Sequence, residues 1–356
     1  MVARGSTARR RVARIVGLSH PELTDPDLMD LALSEARSCR LVTSPNPWVG
    51  CAVHTSQGVF TGATSPPGGS HAEVNALHAA GSLAEGAHLY TTLEPCAHQG
   101  RTGPCVEVII AAKIAKVTVA IEDPDPAVSG RGITALRAAG IGVATGIRAP
   151  EVTELLAPYI KHRRTGLPWV VLKLAATLDG RIAAPDFSSQ WITSVEARRD
   201  AHKLRAQSDA VLVGAGTVAT DDPELTVRHW QPSADVVPRI TQPRRIVLGK
   251  APRDARVHPA TEMSGPLPEV LQELGSQGVM QLLVEGGAST AAMFHRAGLV
   301  DHYVIYLAPA LFGGDDARAM FSGAGASNIA DLWRGDIIST TMLGGDLRLD
   351  LCPASV

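Results

Sequence analysis

Long hydrophobic runs are absent from this sequence, and so is any disulfide framework. No apolar stretch approaches the ~20 residues that span a bilayer. The apolar run that follows the first arginines, residues 15–18, is too short for a signal-peptide core. The five cysteines are odd in number and widely spaced, which is typical of a reducing compartment. These absences predict a cytoplasmic protein with no membrane partner.

A strong excess of charge is missing as well. The net charge of −2 gives no general attraction to nucleic acid, although residues 4–14 hold five arginines. We expect residues 1–24 to form a mobile basic arm. The hydrophobic content of 45% argues against disorder, and 356 residues are enough for two domains with separate cores.

Residues 70–105 contain the side chains of a catalytic zinc site. His71, Cys96 and Cys105 are three zinc ligands of the kind that leave a fourth position free for water. Glu73 follows the histidine by two residues and is the acid/base that such a water requires. A His-x-Glu followed by Pro-Cys and a further Cys is the zinc-deaminase pattern, in which the glutamate shuttles protons and does not bind the metal.

Each of these residues also has a structural interpretation. Ser70 and Glu73 fit a capping box for a helix that ends at Gly81, and by itself this interpretation is favoured for Glu73. The two cysteines, taken singly, are typical of small buried apolar residues. The four residues in this order, with Pro95 before the first thiol, favour zinc.

Hydrophobic periodicity predicts alternating strands and helices along the whole chain. In the first half, the predicted helices are 26–40, 106–112 and 133–139, and the predicted strands are 48–54, 59–62, 87–92, 117–121 and 141–143. In the second half, the predicted strands are 169–176, 209–214, 245–248, 281–284 and 304–308, the last of which ends the core. The pattern predicts an α/β protein with mostly parallel sheets.

The second half contains two glycine-bearing turns between a strand and a helix, at residues 214–217 and 285–290. Backbone amides at such turns can hold phosphate, although tight packing is the commoner reason for the glycines. The G-x-G-x-x-G fingerprint of a dinucleotide-binding unit is absent. Lys173 lies inside an apolar strand, so it must extend to solvent or face a ligand.

The order of these motifs resembles the cytidine-deaminase-like superfamily and, more narrowly, the bifunctional deaminase/reductase family of riboflavin biosynthesis. The resemblance is carried by residues 45–51, 71–73, 92–105, 172–181, 189–193, 221–228 and 284–287. Eight residues separate Cys96 from Cys105, a longer loop than nucleobase and tRNA deaminases usually have. Between residues 257 and 267 the chain is shorter than the family pattern, and Lys250 stands where a cofactor contact is expected.

The resemblance implies a cytidine-deaminase-like three-layer domain at residues 25–148, a linker at 149–167 and a dihydrofolate-reductase-like domain at 168–356. It implies one Zn²⁺ on His71, Cys96 and Cys105, with Glu73 as proton carrier, and NADPH in the second domain. The deaminase substrate would contact Asn46, His98 and Arg101. The nicotinamide cofactor would contact Ala175, Trp191, Thr217, Asp221 and Gly287. The reductase substrate would contact Ser189, Arg205, Leu225, Arg228 and Glu285, with Lys173 near the reacting carbon.

The expected reaction is hydrolytic deamination of a phosphoribosyl diaminopyrimidine, followed by reduction of its ribosyl group, in a homo-oligomer without a nucleic-acid or membrane partner. One alternative is a nucleic-acid or free-nucleoside deaminase with an appended domain. The near-neutral charge, the long cysteine loop and the second half argue against it. The other is a zinc-stabilised regulatory module that only senses nucleotide. Zinc content without ammonia release would favour that module.

Overall fold

The computed structural model describes residues 23–98, 103–126, 128–239 and 241–354. The predicted basic arm lies almost wholly outside these residues, and so does Arg101. Within the described ranges, no helix is both long and apolar enough to cross a bilayer. The chain divides into two compact units, residues 1–160 and 161–356. The domain limits assigned from the sequence stay a prediction.

The first unit is built on a five-stranded sheet with the order β2-β1-β3-β4-β5. Its elements are α1 (Asp25–Cys39), β1 (Gly50–Thr55), β2 (Gly58–Ala63), α2 (Ala72–Ala80), β3 (His88–Leu93), α3 (Cys105–Ala111), β4 (Lys116–Ile121), α4 (Arg131–Ala138) and β5 (Gly142–Thr145). Two further helices, α5 (Ala149–Leu155) and α6 (Ala157–Thr165), occupy the predicted linker.

The prediction of a mostly parallel sheet is wrong for this unit. β1 is antiparallel to both β2 and β3, whereas β4 is parallel to β3 and β5. The reason is local, because a tight turn joins β1 to β2 and such a turn can connect only antiparallel strands. The strands that are joined through helices, β2 to β5, all run in one direction, and β1 alone runs opposite to them.

Two glycines bring helices close to the two faces of this sheet. A Cβ on Gly50 would lie 1.9 Å from the Ala32 carbonyl oxygen in α1. A Cβ on Gly62 would lie 2.4 Å from the Ala76 nitrogen in α2. Gly62 pairs with Cys51, the residue after Gly50, and successive residues of a strand face opposite sides. The helices α1 and α2 therefore cover opposite faces, which gives the expected three layers.

The second unit is built on an eight-stranded sheet with the order β10-β9-β8-β11-β6-β12-β15-β14. Its elements are β6 (Trp169–Thr177), β7 (Arg181–Ala183), α7 (Val195–Gln207), β8 (Ala210–Gly214), α8 (Ala215–Asp221), β9 (Arg244–Leu248), β10 (Thr261–Met263), α9 (Leu267–Ser276), β11 (Gln281–Val284), α10 (Ala288–Arg296), β12 (His302–Ala308), β13 (Arg318–Ala319), β14 (Gly335–Leu343) and β15 (Asp346–Pro353).

In the order of the sheet, the six strands from β10 through β12 are parallel, as predicted. β15 is antiparallel to β12, and β14 is antiparallel to β15. The sequence interpretation ended the core at residue 308 and missed β14 and β15. Most of β14 is exposed, with Ile337 and Ile338 adjacent to each other. It therefore lacks the alternation of a half-buried strand. In the short segment 257–267, only the three-residue strand β10 forms.

Burial along β6 decides which side chains reach the second site. Leu172 and Leu174 belong to the core on one face of the sheet, together with α9 and α10. Val171 belongs to the core on the other face, together with α7. Because side chains alternate along a strand, Lys173 and Ala175 face the α7 side. The lysine thus lies on the face that carries Arg205.

Candidate active sites

The first candidate site lies where two helices begin. His71 is the N-cap residue of α2, and Cys105 is the first residue of α3. Cys96 lies in the loop after β3, and its sulfur accepts a hydrogen bond from the Cys105 backbone nitrogen at 3.4 Å. Because His71 and not Ser70 is the N-cap, and its side chain makes no cap bond, the Ser70–Glu73 capping box does not form.

The donor atoms of His71, Cys96 and Cys105 all lie within 4.8 Å of one another. His71 Nδ1 is 3.2 Å from Cys105 Sγ and 3.6 Å from Cys96 Sγ. A tetrahedral zinc with bonds of about 2.1–2.3 Å sets neighbouring ligand atoms roughly 3.6 Å apart. One nitrogen and two sulfurs at these separations fit such an ion. The set also leaves one coordination position for a small molecule.

A hydrogen bond between the two cysteine side chains shifts the pKa of each in opposite directions. The hydrogen bond from the Cys105 thiol lowers the pKa of Cys96 to about 4. The same bond raises the pKa of Cys105 above its ordinary value. The bond to Cys96 also raises the pKa of His71. The lowered pKa of Cys96 favours its thiolate, which is the form that ligates zinc.

Glu73 is the second residue of α2 and is only 3% exposed. Burial raises the pKa of its carboxyl group to about 7. Its side chain interacts with the Cys105 thiol, which places the carboxyl group beside the cluster. A buried carboxyl group with such a pKa exchanges a proton near neutral pH, as a general acid/base must.

The structure describes two of the three predicted substrate residues of this unit, Asn46 and His98. Asn46 is partly buried, and its backbone nitrogen donates to the Thr43 carbonyl oxygen at 2.8 Å. His98 is exposed at the end of a described range, and Arg101 falls in the gap that follows. The roles of Asn46, His98 and Arg101 stay predictions.

The second candidate site lies at the carboxyl ends of the parallel strands β6, β8 and β11. Val284, the last residue of β11, pairs with Leu172 of β6, so Glu285 and Lys173 follow at neighbouring positions. Arg205 of α7 binds Glu285 through two hydrogen bonds, Nε to Oε1 at 2.5 Å and Nη2 to Oε2 at 3.0 Å. Ligands of open α/β sheets bind at this edge.

Lys173 is a partly buried lysine that makes no ion pair with any of the described residues. Burial lowers the pKa of its ammonium group, although Glu285 opposes the shift. Its Nζ lies 5.9 Å from the centre of the Tyr306 ring on β12. Burial also acts on Glu285, whose pKa is nevertheless lowered overall because Arg205 stabilises the carboxylate. In the described part of the chain, no ion pair occupies Lys173, so its ammonium is available to a ligand.

The two glycine turns lie side by side and show close packing. A Cβ on Gly214 would lie 2.5 Å from Thr290 Oγ1, and one on Gly286 would lie 2.4 Å from Thr290 Cβ. The Gly287 nitrogen donates to Thr217 Oγ1 at 3.1 Å. Two of the predicted cofactor residues, Thr217 and Gly287, are therefore in direct contact. The packing interpretation explains Gly214 and Gly286.

Ser189 and Trp191 line a cavity of about 320 Å³ next to the end of β6. Trp191 is 69% exposed, and the Arg198 guanidinium lies 4.4 Å from its ring centre. The same cavity is lined by Leu311 and Phe312, which the sequence analysis placed only after the core. In the sequence, the available signal for these two residues was their position directly before two glycines. An exposed indole beside a cavity is suited to stacking on a planar ring.

Of the remaining predicted residues, Leu225 and Arg228 lie between α8 and β9, whereas Asp221 and Ala175 lie in α8 and β6. Leu225 is buried with a φ of +53°, and Arg228 donates to the Glu224 carboxylate. Asp221 ends α8, and Ala175 pairs with Tyr306 on β12. The sequence analysis missed Tyr306, because an aromatic residue within an apolar strand is more typical of the core.

Comparison with known proteins accounts for both units. The RibD C-terminal domain family matches residues 168–347, and the zinc-binding region of cytidine and deoxycytidylate deaminases matches residues 23–121. The riboflavin biosynthesis protein RibD of Escherichia coli is 39% identical over 369 residues, covering 93% of this chain and 100% of that protein. RibD of Mycobacterium tuberculosis is 41% identical over 336 residues, covering 91% and 96%.

Solved structures agree with this match. The structure of Acinetobacter baumannii RibD superposes with a TM-score of 0.87 at 36% identity, covering 93% of this chain and 99% of that one. A diaminohydroxyphosphoribosylaminopyrimidine deaminase/5-amino-6-(5-phosphoribosylamino)uracil reductase from Thermotoga maritima superposes with a TM-score of 0.77 at 30% identity, covering 92% and 97%. The chain therefore belongs to the RibD family of riboflavin biosynthesis and is a bifunctional enzyme with a zinc-binding deaminase unit and an NADPH-dependent reductase unit.

Proposed function

We propose that His71, Cys96 and Cys105 hold the zinc ion, and that Glu73 carries the proton in deamination of 2,5-diamino-6-(5-phosphoribosylamino)pyrimidin-4(3H)-one. The observation that carries this proposal is the clustering of three zinc-type donor atoms beside a buried carboxyl group. Asn46, His98 and Arg101 are proposed to bind the substrate. This assignment rests on the family resemblance alone.

Zinc, when bound, makes a water molecule acidic enough to act as a nucleophile near neutral pH. Glu73 would accept a proton on its carboxylate from the water whose oxygen bonds to C2 of the pyrimidine. It then delivers the proton to the amino group that leaves C2 of the pyrimidine as ammonia. Burial of Glu73 keeps bulk water from competing for the proton, and its raised pKa suits both directions of transfer.

In the second unit, we propose that the ribosyl phosphate of the aminouracil binds Ser189, Arg205, Leu225, Arg228 and Glu285. The cofactor is proposed to contact Ala175, Trp191, Thr217, Asp221 and Gly287. NADPH supplies the hydride that reduces the ribosyl group to ribityl. By resemblance, Lys173 is proposed to lie near the reacting carbon, where the lowered pKa of its buried ammonium group would ease donation of a proton.

The test follows ammonia release and NADPH absorbance together, with the diaminopyrimidine phosphate as substrate. Glu73→Gln should stop ammonia release and leave reduction of supplied aminouracil intact. Lys173→Met should give the opposite result. If either single variant abolished both activities, the assignment of one site to each unit would fail.

We further propose that the protein is a cytoplasmic homo-oligomer. The strand β14 supports self-association, because within the described residues it pairs only with β15 and exposes Ile337, Ile338 and Met342. Exposed edge strands of this kind pair with another chain. Light scattering should give an oligomeric mass for the wild type and a monomeric mass for Ile337→Asp, with Thr340→Ser as the control. The five free cysteines favour a reducing compartment.

A further inference from the structure

Glu94 is a buried carboxylate that the deaminase mechanism does not use. It follows β3 directly and is 3% exposed. Its Oε2 accepts from the backbone nitrogens of Asp123 at 3.1 Å and Gly130 at 2.9 Å. Its Oε1 accepts from those of Gly132 at 2.8 Å and Ile133 at 3.1 Å. Within the described residues, no salt bridge to a lysine, arginine or histidine involves this carboxylate.

The four donors belong to the chain segment between β4 and the first turn of α4. A carboxylate that accepts several backbone N–H groups at a helix start is stabilised by charge-assisted bonds and by the helix dipole. Glu94 thus acts as an N-terminal cap of α4 supplied from another part of the chain. It joins the end of β3 to α4 without a counter-ion.

The peptide that follows Glu94 is held by the same helix. A Cβ on Gly132 would lie 2.0 Å from the Pro95 carbonyl oxygen, so the first turn of α4 packs directly on this carbonyl. The next residue is Cys96, whose carbonyl oxygen accepts from the Val106 nitrogen in α3 at 3.2 Å. Two helices therefore fix the turn that presents the Cys96 sulfur. The hydrogen bonds that hold this turn against the start of α4 are those that the Glu94 carboxylate accepts.

We propose that Glu94 is a positioning residue for the zinc centre. Through its bonds to α4, it holds the Cys96 sulfur at the distances from His71 and Cys105 that zinc requires. A carboxylate is needed because four N–H groups point at two oxygens. In a glutamine, the amide NH₂ would meet two of these donors and could accept from neither. The inference rests on the proposed ligand set.

The experiment measures zinc release from the full chain to a colorimetric chelator. In Glu94→Gln, the zinc affinity should fall by roughly 10- to 100-fold, as it does when a group that orients a ligand is lost. The matched control is Leu136→Ala, which removes a fully buried side chain from the same helix α4 and leaves the Glu94 bonds in place. Its thermal stability should fall while its zinc affinity stays that of the wild type.

Each outcome decides one question. If wild-type protein retained no zinc, the ligand set itself would be refuted. If Glu94→Gln retained zinc like the wild type, or if Leu136→Ala lost zinc equally, the positioning role would be overturned. Should Glu94→Gln fail to fold, Glu94→Asp keeps the charge but shortens the reach. With Co²⁺ in place of zinc, its visible spectrum should differ from that of the wild type, and an identical spectrum would equally overturn the proposal.

Discussion

Removal of the Glu285 carboxylate is the most informative perturbation of the reductase unit. The Arg205 and Glu285 side chains are 14% and 8% exposed, so the charges are largely shielded from water. Glu285→Gln leaves the guanidinium of Arg205 without its ion-pair partner, and it removes the nearby negative charge that favours the ammonium form of Lys173. Breaking one partner of a buried pair costs about 3–5 kcal/mol. For a unit of this size, each kcal/mol lowers Tm by about 2–4 °C, so we expect a fall of roughly 6–20 °C.

Tryptophan fluorescence suits this measurement, because four of the five tryptophans lie in residues 161–356. The control is Lys250→Gln, which breaks a pair whose lysine is 89% exposed and should shift Tm by less than about 2 °C. The double variant Arg205→Met/Glu285→Leu should recover most of the loss, since an apolar pair of similar volume replaces buried charges at little cost. A Tm of Glu285→Gln equal to that of the wild type would refute the reasoning.

Three further predictions concern packing, pH and helix capping. Gly62→Ala should lower the free energy of unfolding of the deaminase unit in urea by about 1–3 kcal/mol, because the new Cβ would lie 2.4 Å from the α2 backbone. Gly216→Ala should raise that of the reductase unit by about 0.4–1 kcal/mol, because the new Cβ would meet nothing within 4 Å. Burial lowers the pKa of His88 from 6.5 to about 4. Between these pH values the unfolded chain binds a proton that the folded chain does not, so stability should fall as the pH drops from 6.5 to 4. His88→Gln should flatten this part of the Tm–pH profile, and an unchanged slope would contradict the assignment. Ser194→Ala should cost about 1 kcal/mol, because the Ser194 hydroxyl accepts from Ala197 at the start of α7; an unchanged urea midpoint would speak against the cap.

Local sequence signals predicted the elements well where they act within a few residues. The helix α2 ends at the predicted glycine, Gly81. At α1, by contrast, the predicted start at residue 26 is one residue late, because the helix begins at Asp25 after the cap Thr24, which forms a capping box with Asp27. Neighbouring candidates for a cap are nearly equivalent in sequence, so such one-residue shifts are common.

The candidate zinc site could be predicted as a set of residues but not as a geometry. His71, Glu73 and the two cysteines are recognisable because zinc chemistry allows few residue types at few spacings. Their separations depend on two helix starts and one loop that meet only after folding. The same holds for Lys173, because an apolar strand reveals a buried lysine but not the Glu285 and Arg205 that surround it.

The sequence by itself determined the alternation of strands and helices and the family to which the chain belongs, and it predicted the side chains of both candidate sites. Only the tertiary structure decided that β1 also pairs with β3, that β14 and β15 extend the second sheet, and that Glu94 joins the Cys96 turn to α4. The physical reason is that periodicity and motif spacing report local preferences. Strand pairing, and the partner of a buried charge, depend on residues far apart in the chain, which folding alone brings together.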